Sequence, residues 1–190
     1  ANKHITTGEG GMVLTGDAAL AERLRLLRNL GFTTPRFRHE VAGFNFRMAA
    51  YQAAMGLVQL QKLDAVIEAK RRLAETYARH LRGIPGLQLP TELPWAHHVH
   101  WMVGVVVRPE FGITRDQLAT RLRERGVDTR TFFCPISMQP CFAHLPACRN
   151  QPCPVAEELW NGGLYLPSSV NLREDDVIEI ATAIRASRAA

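Results

Sequence analysis

The chain opens with Asn2-Lys3-His4-Ile5-Thr6-Thr7-Gly8-Glu9-Gly10-Gly11, which places a lysine beside a turn rich in glycine. A lysine amine forms a Schiff base with an aldehyde when its surroundings favour the neutral amine. Glycine tolerates positive φ and lets the backbone approach a bulky ring. The pattern makes Lys3 a candidate catalytic residue, although a lysine near glycines is also typical of an ordinary surface loop.

The residues after this turn predict one strand, helices and a long loop. Residues 11–15 are apolar and predict a short buried strand. Asp17 is placed to cap a helix, and Gly31 is a natural helix terminator. Residues 31–47 form a long irregular loop, which in a compact protein is often functional. A helical apolar pattern then runs from Met48 to Gly83 and predicts one long helix, which would be long enough to bridge two domains.

The rest of the chain alternates strand and helix, which predicts a small α/β layer domain. Thr114 and Gln117 form a capping box, and Asn171 with Glu174 predicts the cap of the last helix. The inner face of that helix is Val177, Ile180, Ala181 and Ile184. The predicted strands are residues 99–107, 127–133 and 164–166, and residues 134–153 are expected to form a loop. The domain boundary is placed between residues 65 and 66.

Composition narrows the class of protein. With 46% hydrophobic and 22% charged residues, the 190-residue chain is typical of a globular protein. It has no run of about 18 apolar residues and no signal-peptide core near its start, so neither a membrane span nor export is predicted. The net charge of +5 fits either solvated helix faces or a basic surface for an anionic ligand such as a nucleotide diphosphate. No nucleic-acid-binding signature is present.

Cysteine and histidine patterns give no indication of a metal site. Cys134, Cys141, Cys148 and Cys153 lack C-x-x-C spacing, so reduced thiols in a cytoplasmic protein are expected. The nearby histidines His97, His98 and His100 have no third ligand at a fixed spacing. We expect them to mark a strand end or a substrate-loop contact.

Five ordered segments carry a resemblance that spans most of the chain. They are Asn2–Met12, Leu27–Gly31, Gly43–Met48, Gly126–Phe133 and Tyr165–Ser169. Together they resemble the DegT/DnrJ/EryC1/StrS family of sugar aminotransferases, and within it the perosamine synthases most of all. The resemblance implies an α/β fold of the fold-type I class of pyridoxal-phosphate-dependent transferases. Residues 1–65 would be the C-terminal part of the large cofactor-binding domain, and residues 66–190 the small C-terminal domain.

The resemblance also implies an activity. Lys3 would bind pyridoxal 5'-phosphate, and an amino group would pass from glutamate to a nucleotide-linked 4-keto-6-deoxysugar, with a GDP-sugar as the first choice. Sugar 3-dehydratases of the family have histidine in place of this lysine, so Lys3 favours transamination. The chain would be a fragment whose missing front half supplies most of the cofactor pocket. The isolated chain is therefore expected to bind the cofactor poorly.

The resemblance assigns further residues to the site. Asn45 would reach the cofactor phosphate of the partner subunit in a homodimer, and Arg47 would lie near the substrate's diphosphate. Arg130 and Phe133 would face the substrate. The residues alone leave other interpretations open: Asn45 as a turn asparagine, Arg47 as part of a surface ion pair, and Arg130 as a solvated arginine on a core strand.

Two positions depart from the family pattern. Relatives commonly have tyrosine and histidine where this chain has Cys134 and Ser137, which leaves the exact sugar open. Two alternatives therefore remain beside the favoured activity. One is an aminotransferase for a different nucleotide-linked keto-sugar, and the other is a truncated module that dimerises or regulates without catalysis.

Overall fold

The computed structural model describes residues 2–149 and 152–188, so residues 150 and 151 of the predicted 134–153 loop lie outside it. The chain divides into two compact units, Ala1–Asp64 and Ala65–Ala190. The helices are α1 (Ala18–Arg28), α2 (Ala50–Leu60), α3 (Leu63–Leu81), α4 (Arg115–Arg123), α5 (Pro146–Arg149), α6 (Pro154–Gly162) and α7 (Glu174–Ala186). The strands are β1 (Leu87–Gln88), β2 (Val103–Val107), β3 (Arg130–Thr131) and β4 (Gly163–Leu166). In the described part of the chain, no helix has both the length and the apolar character that a membrane span requires.

Helix α1 begins and ends as its sequence predicts. Asp17 Oδ1 accepts hydrogen bonds from the backbone N–H groups of Ala19 and Leu20 at 2.9 and 3.1 Å. These bonds satisfy two N–H groups that have no partner inside the helix. At the other end, Gly31 has a φ of +67° and donates its N–H to Leu26 O at 2.9 Å. Glycine adopts this left-handed conformation without strain, which ends the helix.

The prediction of a buried strand at residues 11–15 is wrong. The segment is irregular, and Met12, Val13 and Leu14 are 82%, 69% and 85% exposed. A strand forms only where a neighbouring strand takes up its N–H and C=O groups. Among residues 2–149 and 152–188, no strand pairs with this segment.

The prediction of a single long helix from Met48 to Gly83 is also wrong, because the helix is interrupted between α2 and α3. Residues 61 and 62 form a turn instead of continuing the helix. Lys62 N–H donates to Gln59 O at 3.0 Å, which is the tighter i to i+3 pattern. The apolar periodicity on which the prediction rested continues across this turn and does not reveal it.

The second unit contains an antiparallel sheet in the order β1-β2-β4-β3. The centre of the sheet pairs Val103 with Leu166 and Val105 with Leu164. The predicted strands are longer than the observed ones. β2 begins only at Val103, because His100 has a φ of +46° and interrupts the extended chain. β3 pairs with the short β4 only through its two residues.

One face of this sheet is buried against helices α3, α4 and α7. Fully buried side chains from the three helices include Leu81, Leu122 and Ile184. The predicted inner face of α7 is confirmed, since its four residues all belong to the core. The predicted cap of α7 is wrong, because Asp176 Oδ2 accepts from the N–H of Arg173 at 2.8 Å. Asp176 lies three residues after Arg173, at the spacing from which a carboxylate reaches back to the cap.

The capping box of α4 is confirmed. Gln117 N–H donates to Thr114 Oγ1 at 3.2 Å, and Gln117 Oε1 accepts from Thr114 N–H at 2.9 Å. The helix then runs to Arg123, and Gly126, with a φ of +76°, turns the chain toward β3. The site residues in the second unit follow directly from this turn.

Candidate functional site

Lys3 lies on an exposed turn, and two threonine side chains within the turn set its shape. Thr6 Oγ1 accepts from Gly8 N–H at 3.1 Å, and Thr7 Oγ1 donates to Glu9 O at 2.9 Å. Gly8 has a φ of +84°, which a residue with a side chain rarely adopts. The turn therefore needs glycine at this position, as the sequence indicates.

Two glutamines of α2 fix this turn to the helix. Gln59 accepts from Thr6 N–H at 3.0 Å through Oε1 and donates to Thr6 O at 2.6 Å through Nε2. Gln52 Nε2 donates to Thr7 O and to Glu9 O, both at 3.3 Å. Four hydrogen bonds thus join the backbone of the turn to one helix face, since positions 52 and 59 lie two turns apart. The sequence gives no sign of these bonds, which span 43 to 53 positions.

Asn45 and Arg47 form a polar group beside the end of α1. Asn45 makes an isolated antiparallel bridge with Asn29. Arg47 Nε donates to Asn45 Oδ1 at 3.1 Å, and Arg47 Nη1 lies 3.5 Å from Asn29 Oδ1. Because Asn45 Oδ1 accepts from Arg47, the asparagine offers its N–H donors to any anion that binds here. Both side chains are exposed, so the group is accessible.

Four rings on one side of the sheet form what we call the aromatic layer: Trp101, Phe132, Phe133 and Tyr165. Phe132 and Tyr165 stack with ring centroids 4.4 Å apart. Trp101 and Phe133 lie nearly parallel, at 4° and 6.3 Å, and both contact Tyr165 at about 6 Å. Phe133 is 65% exposed, so the outer ring of the layer faces solvent. Phe133 is thus the predicted site residue of this unit that presents an accessible apolar surface.

Two glycines make room for the innermost ring of this layer. A Cβ built on Gly104 would lie 2.7 Å from Phe132 Cζ. A Cβ on Gly163 would overlap the same ring and the carbonyl oxygen of Leu159. The ring of Phe132 therefore lies flat on backbone where β2 and β4 would otherwise carry side chains.

Arg130 lies on β3, opposite Tyr165, and is exposed. Its backbone pairs with β4, whereas its guanidinium is accessible to an anion. Lys3, Asn45 and Arg47 belong to the first unit, and Arg130 and Phe133 belong to the second.

The loop after β3 contains the two residues that depart from the family pattern. Cys134 Sγ lies 3.7 Å from Pro135 O, and Cys134 O accepts from Gln139 Nε2 at 3.5 Å. Ser137 Oγ is buried and has no hydrogen-bond partner within the described residues. Its hydroxyl is therefore a donor without an acceptor inside that part of the chain.

The histidines before β2 form a cluster that the sequence does not predict. His98 and His100 stack with ring centroids 3.9 Å apart. His100 N–H donates to His98 Nδ1 at 2.8 Å. Glu92 accepts from Arg71 at 2.9 Å and from His98 N–H at 3.1 Å.

Burial and neighbouring charges shift two pKa values in this cluster. Burial, together with the charges of His98 and Arg71, lowers the pKa of His100 from 6.5 to about 4. The hydrogen bonds from Arg71 and from the backbone of His98 lower the pKa of Glu92 from 4.5 to about 2. At neutral pH the cluster therefore contains a neutral imidazole beside an ionised Arg71–Glu92 pair. Among the residues that the structure describes, no group of three or more potential metal ligands occurs.

Comparison with known proteins gives a consistent result. The model of the DegT/DnrJ/EryC1/StrS aminotransferase family matches residues 1–185. A GDP-perosamine synthase of Vibrio cholerae is 34% identical over 185 residues, which cover 97% of this chain and 50% of that protein. Helicobacter pylori PseC, an aminotransferase involved in the biosynthesis of pseudoaminic acid, superposes with a TM-score of 0.87 at 26% identity. That superposition covers 97% of this chain and 50% of PseC.

DesI, solved in the presence of its TDP-sugar product, superposes with a TM-score of 0.82 at 34% identity. The superposition covers 96% of this chain and 46% of DesI. The chain thus spans about half the length of the relatives that it matches. These superpositions confirm the α/β fold expected from the sequence.

Proposed function

Because the chain belongs to the DegT/DnrJ/EryC1/StrS aminotransferase family, we propose that it carries the catalytic lysine of a pyridoxal-phosphate-dependent sugar aminotransferase. The proposed reaction moves an amino group from glutamate to the keto carbon of a nucleotide-linked 4-keto-6-deoxysugar. The observation that carries the proposal is the Lys3 turn, an exposed amine on a backbone fixed by Gln52 and Gln59.

The residues present fit this cofactor in two respects. Lys3 supplies a primary amine on a turn of defined shape, which is the group that an aldehyde requires. Asn45 and Arg47 supply N–H donors for a phosphate, and a planar guanidinium suits that group. When bound, pyridoxal 5'-phosphate would supply the electron sink for breaking the C–H bond of the amino donor.

The proton transfers would belong to Lys3. Once its amine is released from the cofactor, Lys3 Nζ would accept the proton lost from the α-carbon of glutamate. It would then give the proton to the carbon on the far side of the transferred nitrogen, and the same transfer would run in reverse with the sugar. The four bonds from Gln52 and Gln59 would hold the turn, so that Nζ stays within reach of both carbons.

Asn45 and Arg47 would bind anionic groups at two places. We propose that Asn45 donates to the cofactor phosphate of the partner subunit in a homodimer, and that Arg47 lies near the substrate's diphosphate. Both side chains are exposed, and Arg47 orients Asn45 by occupying its Oδ1. A shared site of this kind requires two copies of the protein.

Arg130 and Phe133 are proposed as substrate contacts of the second unit. Arg130 presents an exposed guanidinium, and Phe133 presents the exposed ring of the aromatic layer. A GDP-sugar is the proposed substrate, after the GDP-perosamine synthases. DesI is as similar in sequence, at 34% identity, so a different nucleotide remains the alternative to exclude by assay.

We also propose that the first unit is the end of a larger cofactor-binding domain, in a cytoplasmic enzyme about twice this length. Neither α1 nor α2 contains a buried residue, and Met12, Val13 and Leu14 expose apolar surface. A patch of this kind is typical of a surface that packs against further protein.

The test is reduction of the full-length gene product with borohydride in the presence of pyridoxal 5'-phosphate, followed by peptide mapping. This part of the protein has only three lysines, Lys3, Lys62 and Lys70. The reduced label is expected on Lys3, and amino transfer to a GDP-linked keto-sugar should be lost in Lys3→Ala. A label on either other lysine, or activity that survives in Lys3→Ala, would refute the proposal.

A further inference from the structure

Lys70 is a buried amine that donates hydrogen bonds to backbone carbonyl groups. Its side chain is on the inner face of α3, and the residue is 9% exposed. Nζ donates to Trp101 O at 3.0 Å and also to Ser168 O. In the part of the chain that the structure describes, no acidic side chain forms an ion pair with it.

Tyr77 lies two turns further along the same face of α3 and, like Lys70, binds a carbonyl group of the loop after β4. The residue is fully buried, and its hydroxyl donates to Pro167 O at 3.0 Å. Lys70 and Tyr77 therefore bind the carbonyl groups of two consecutive residues, directly after β4. Because positions 70 and 77 are seven residues apart, both side chains point the same way from the helix.

Ser168 joins this loop to the start of β2. Its hydroxyl accepts from Val103 N–H at 2.8 Å and donates to Leu166 O at 2.7 Å. We call Lys70, Tyr77 and Ser168 the carbonyl latch. The latch ties residues 101–103 and residues 166–168 to α3 and to each other.

Stability alone is a weak reason for this arrangement. Burial lowers the pKa of the Lys70 amine, since the charged form loses its hydration without gaining a carboxylate. An apolar side chain of the same shape would often hold such a place as well as a buried charge or better. Unlike an apolar side chain, the amine forms hydrogen bonds of defined geometry, so each N–H fixes the position of one carbonyl oxygen.

The segments held by the latch carry two rings of the aromatic layer. Trp101 contributes one of the two carbonyl groups that Lys70 binds, and its own ring lies nearly parallel to Phe133. Tyr165 comes directly before the latched residues 166–168 and contacts Trp101, Phe132 and Phe133. A shift of either segment would therefore move the rings that surround the exposed Phe133.

We propose that Lys70 is a positioning residue that fixes the aromatic layer in the arrangement that receives the nucleotide end of the substrate. The inference rests on the proposed function, since the layer is taken to contact a nucleotide-linked sugar. Lys70 touches neither the cofactor nor the reacting atoms and acts only through Trp101 and the loop after β4.

Kinetics of the full-length enzyme provide the first test, with Lys70→Met compared with Lys62→Met. Lys62 is an exposed lysine in the turn after α2 and serves as the matched control. Loss of two oriented hydrogen bonds is expected to raise KM for the nucleotide-sugar about five- to tenfold in Lys70→Met, with kcat within about twofold. The half-reaction with glutamate should be unchanged, because glutamate carries no nucleotide. Lys62→Met should change neither half-reaction.

Quenching of Trp101 fluorescence provides a second test that does not depend on activity. In a Trp95→Phe, Trp160→Phe background, Trp101 is the remaining tryptophan of residues 1–190. Lys70→Met is expected to raise the acrylamide quenching constant about twofold, because a released segment opens more often. Tyr77→Phe, which keeps the core shape, should shift it in the same direction by less.

The two tests separate the inference from the function on which it rests. Unchanged quenching in both Lys70→Met and Tyr77→Phe would overturn the positioning role, as would equal losses in the glutamate and sugar half-reactions. A wild-type enzyme that transfers no amino group to any nucleotide-sugar would refute the proposed function. In that case the quenching measurement would still decide whether Lys70 holds Trp101.

Discussion

Protonation of His100 should destabilise the second unit as the pH falls below neutrality. In the folded protein its pKa is lowered from 6.5 to about 4, mainly by burial and then by the charges of His98 and Arg71. A base with a lowered pKa binds its proton more readily in the unfolded chain. The contribution of neutral His100 to the stability of the second unit is therefore fully present above about pH 7.5 and is lost as the pH falls toward 4.

The magnitude follows from the two pKa values. Between pH 7.5 and pH 5.0 they correspond to a loss of about 2 kcal/mol in the free energy of unfolding. His100 is partly exposed, so solvent screening reduces the expected loss to about 1 kcal/mol. Glu92 titrates at lower pH, with its pKa lowered mainly by the hydrogen bonds from Arg71 and from the backbone of His98.

Urea unfolding of wild type, His100→Asn and His97→Asn at the two pH values measures this effect. Asparagine tolerates the left-handed φ of +46° at position 100, and His97 is an exposed histidine of the same segment. All three tryptophans lie in the second unit, so their fluorescence follows its unfolding. Wild type and His97→Asn should lose about 0.5 M more in midpoint than His100→Asn on going to pH 5.0. Equal pH dependence in all three proteins would refute the assignment to His100.

Three further substitutions test other parts of the structure. Gly163→Ala should lower the free energy of unfolding by about 3 kcal/mol, because its Cβ overlaps Phe132 and the carbonyl oxygen of Leu159, and an unchanged urea midpoint would contradict these contacts. Thr114→Ala should cost about 1 kcal/mol through loss of the α4 cap, and a loss below about 0.3 kcal/mol would show that the cap is dispensable. Gln59→Leu removes both bonds to Thr6, so it should slow borohydride trapping of the cofactor by the full-length enzyme about tenfold, with little change in the urea midpoint of the second unit.

Local signals in the sequence predict those parts of the fold that depend on neighbouring residues. Asp17 and Thr114 cap their helices because each side chain needs only N–H groups two or three residues away. The inner face of α7 is likewise visible in its apolar spacing. The strand prediction for residues 11–15 is wrong because it depends on distant residues: an apolar run becomes a strand only when another strand lies beside it.

The residues of the candidate site also fall into a group that the sequence reveals and a group that it does not. Motifs single out Lys3, Asn45, Arg47, Arg130 and Phe133, and their roles stay predictions until they are tested. The residues that hold them in place could not be found from spacing. Gln59 reaches Thr6 across 53 positions, and Lys70 reaches Ser168 across 98. Lys70 is a charged residue on the mostly apolar buried face of α3, which is a signal that could have drawn attention to it.

The absence of side chains at Gly104 and Gly163 makes three positions of the second unit interdependent. Phe132 supplies the bulk that two strand residues would normally contribute, so none of the three can be exchanged independently. A larger residue at Gly104 should become tolerable once Phe132 is reduced to alanine, whereas either change alone should be harmful. In libraries of variants, Gly104 and Phe132 should therefore be randomised jointly, since scanning them singly would report each as intolerant and conceal the workable combinations. Gly163 should be kept, because a Cβ there also overlaps the carbonyl oxygen of Leu159.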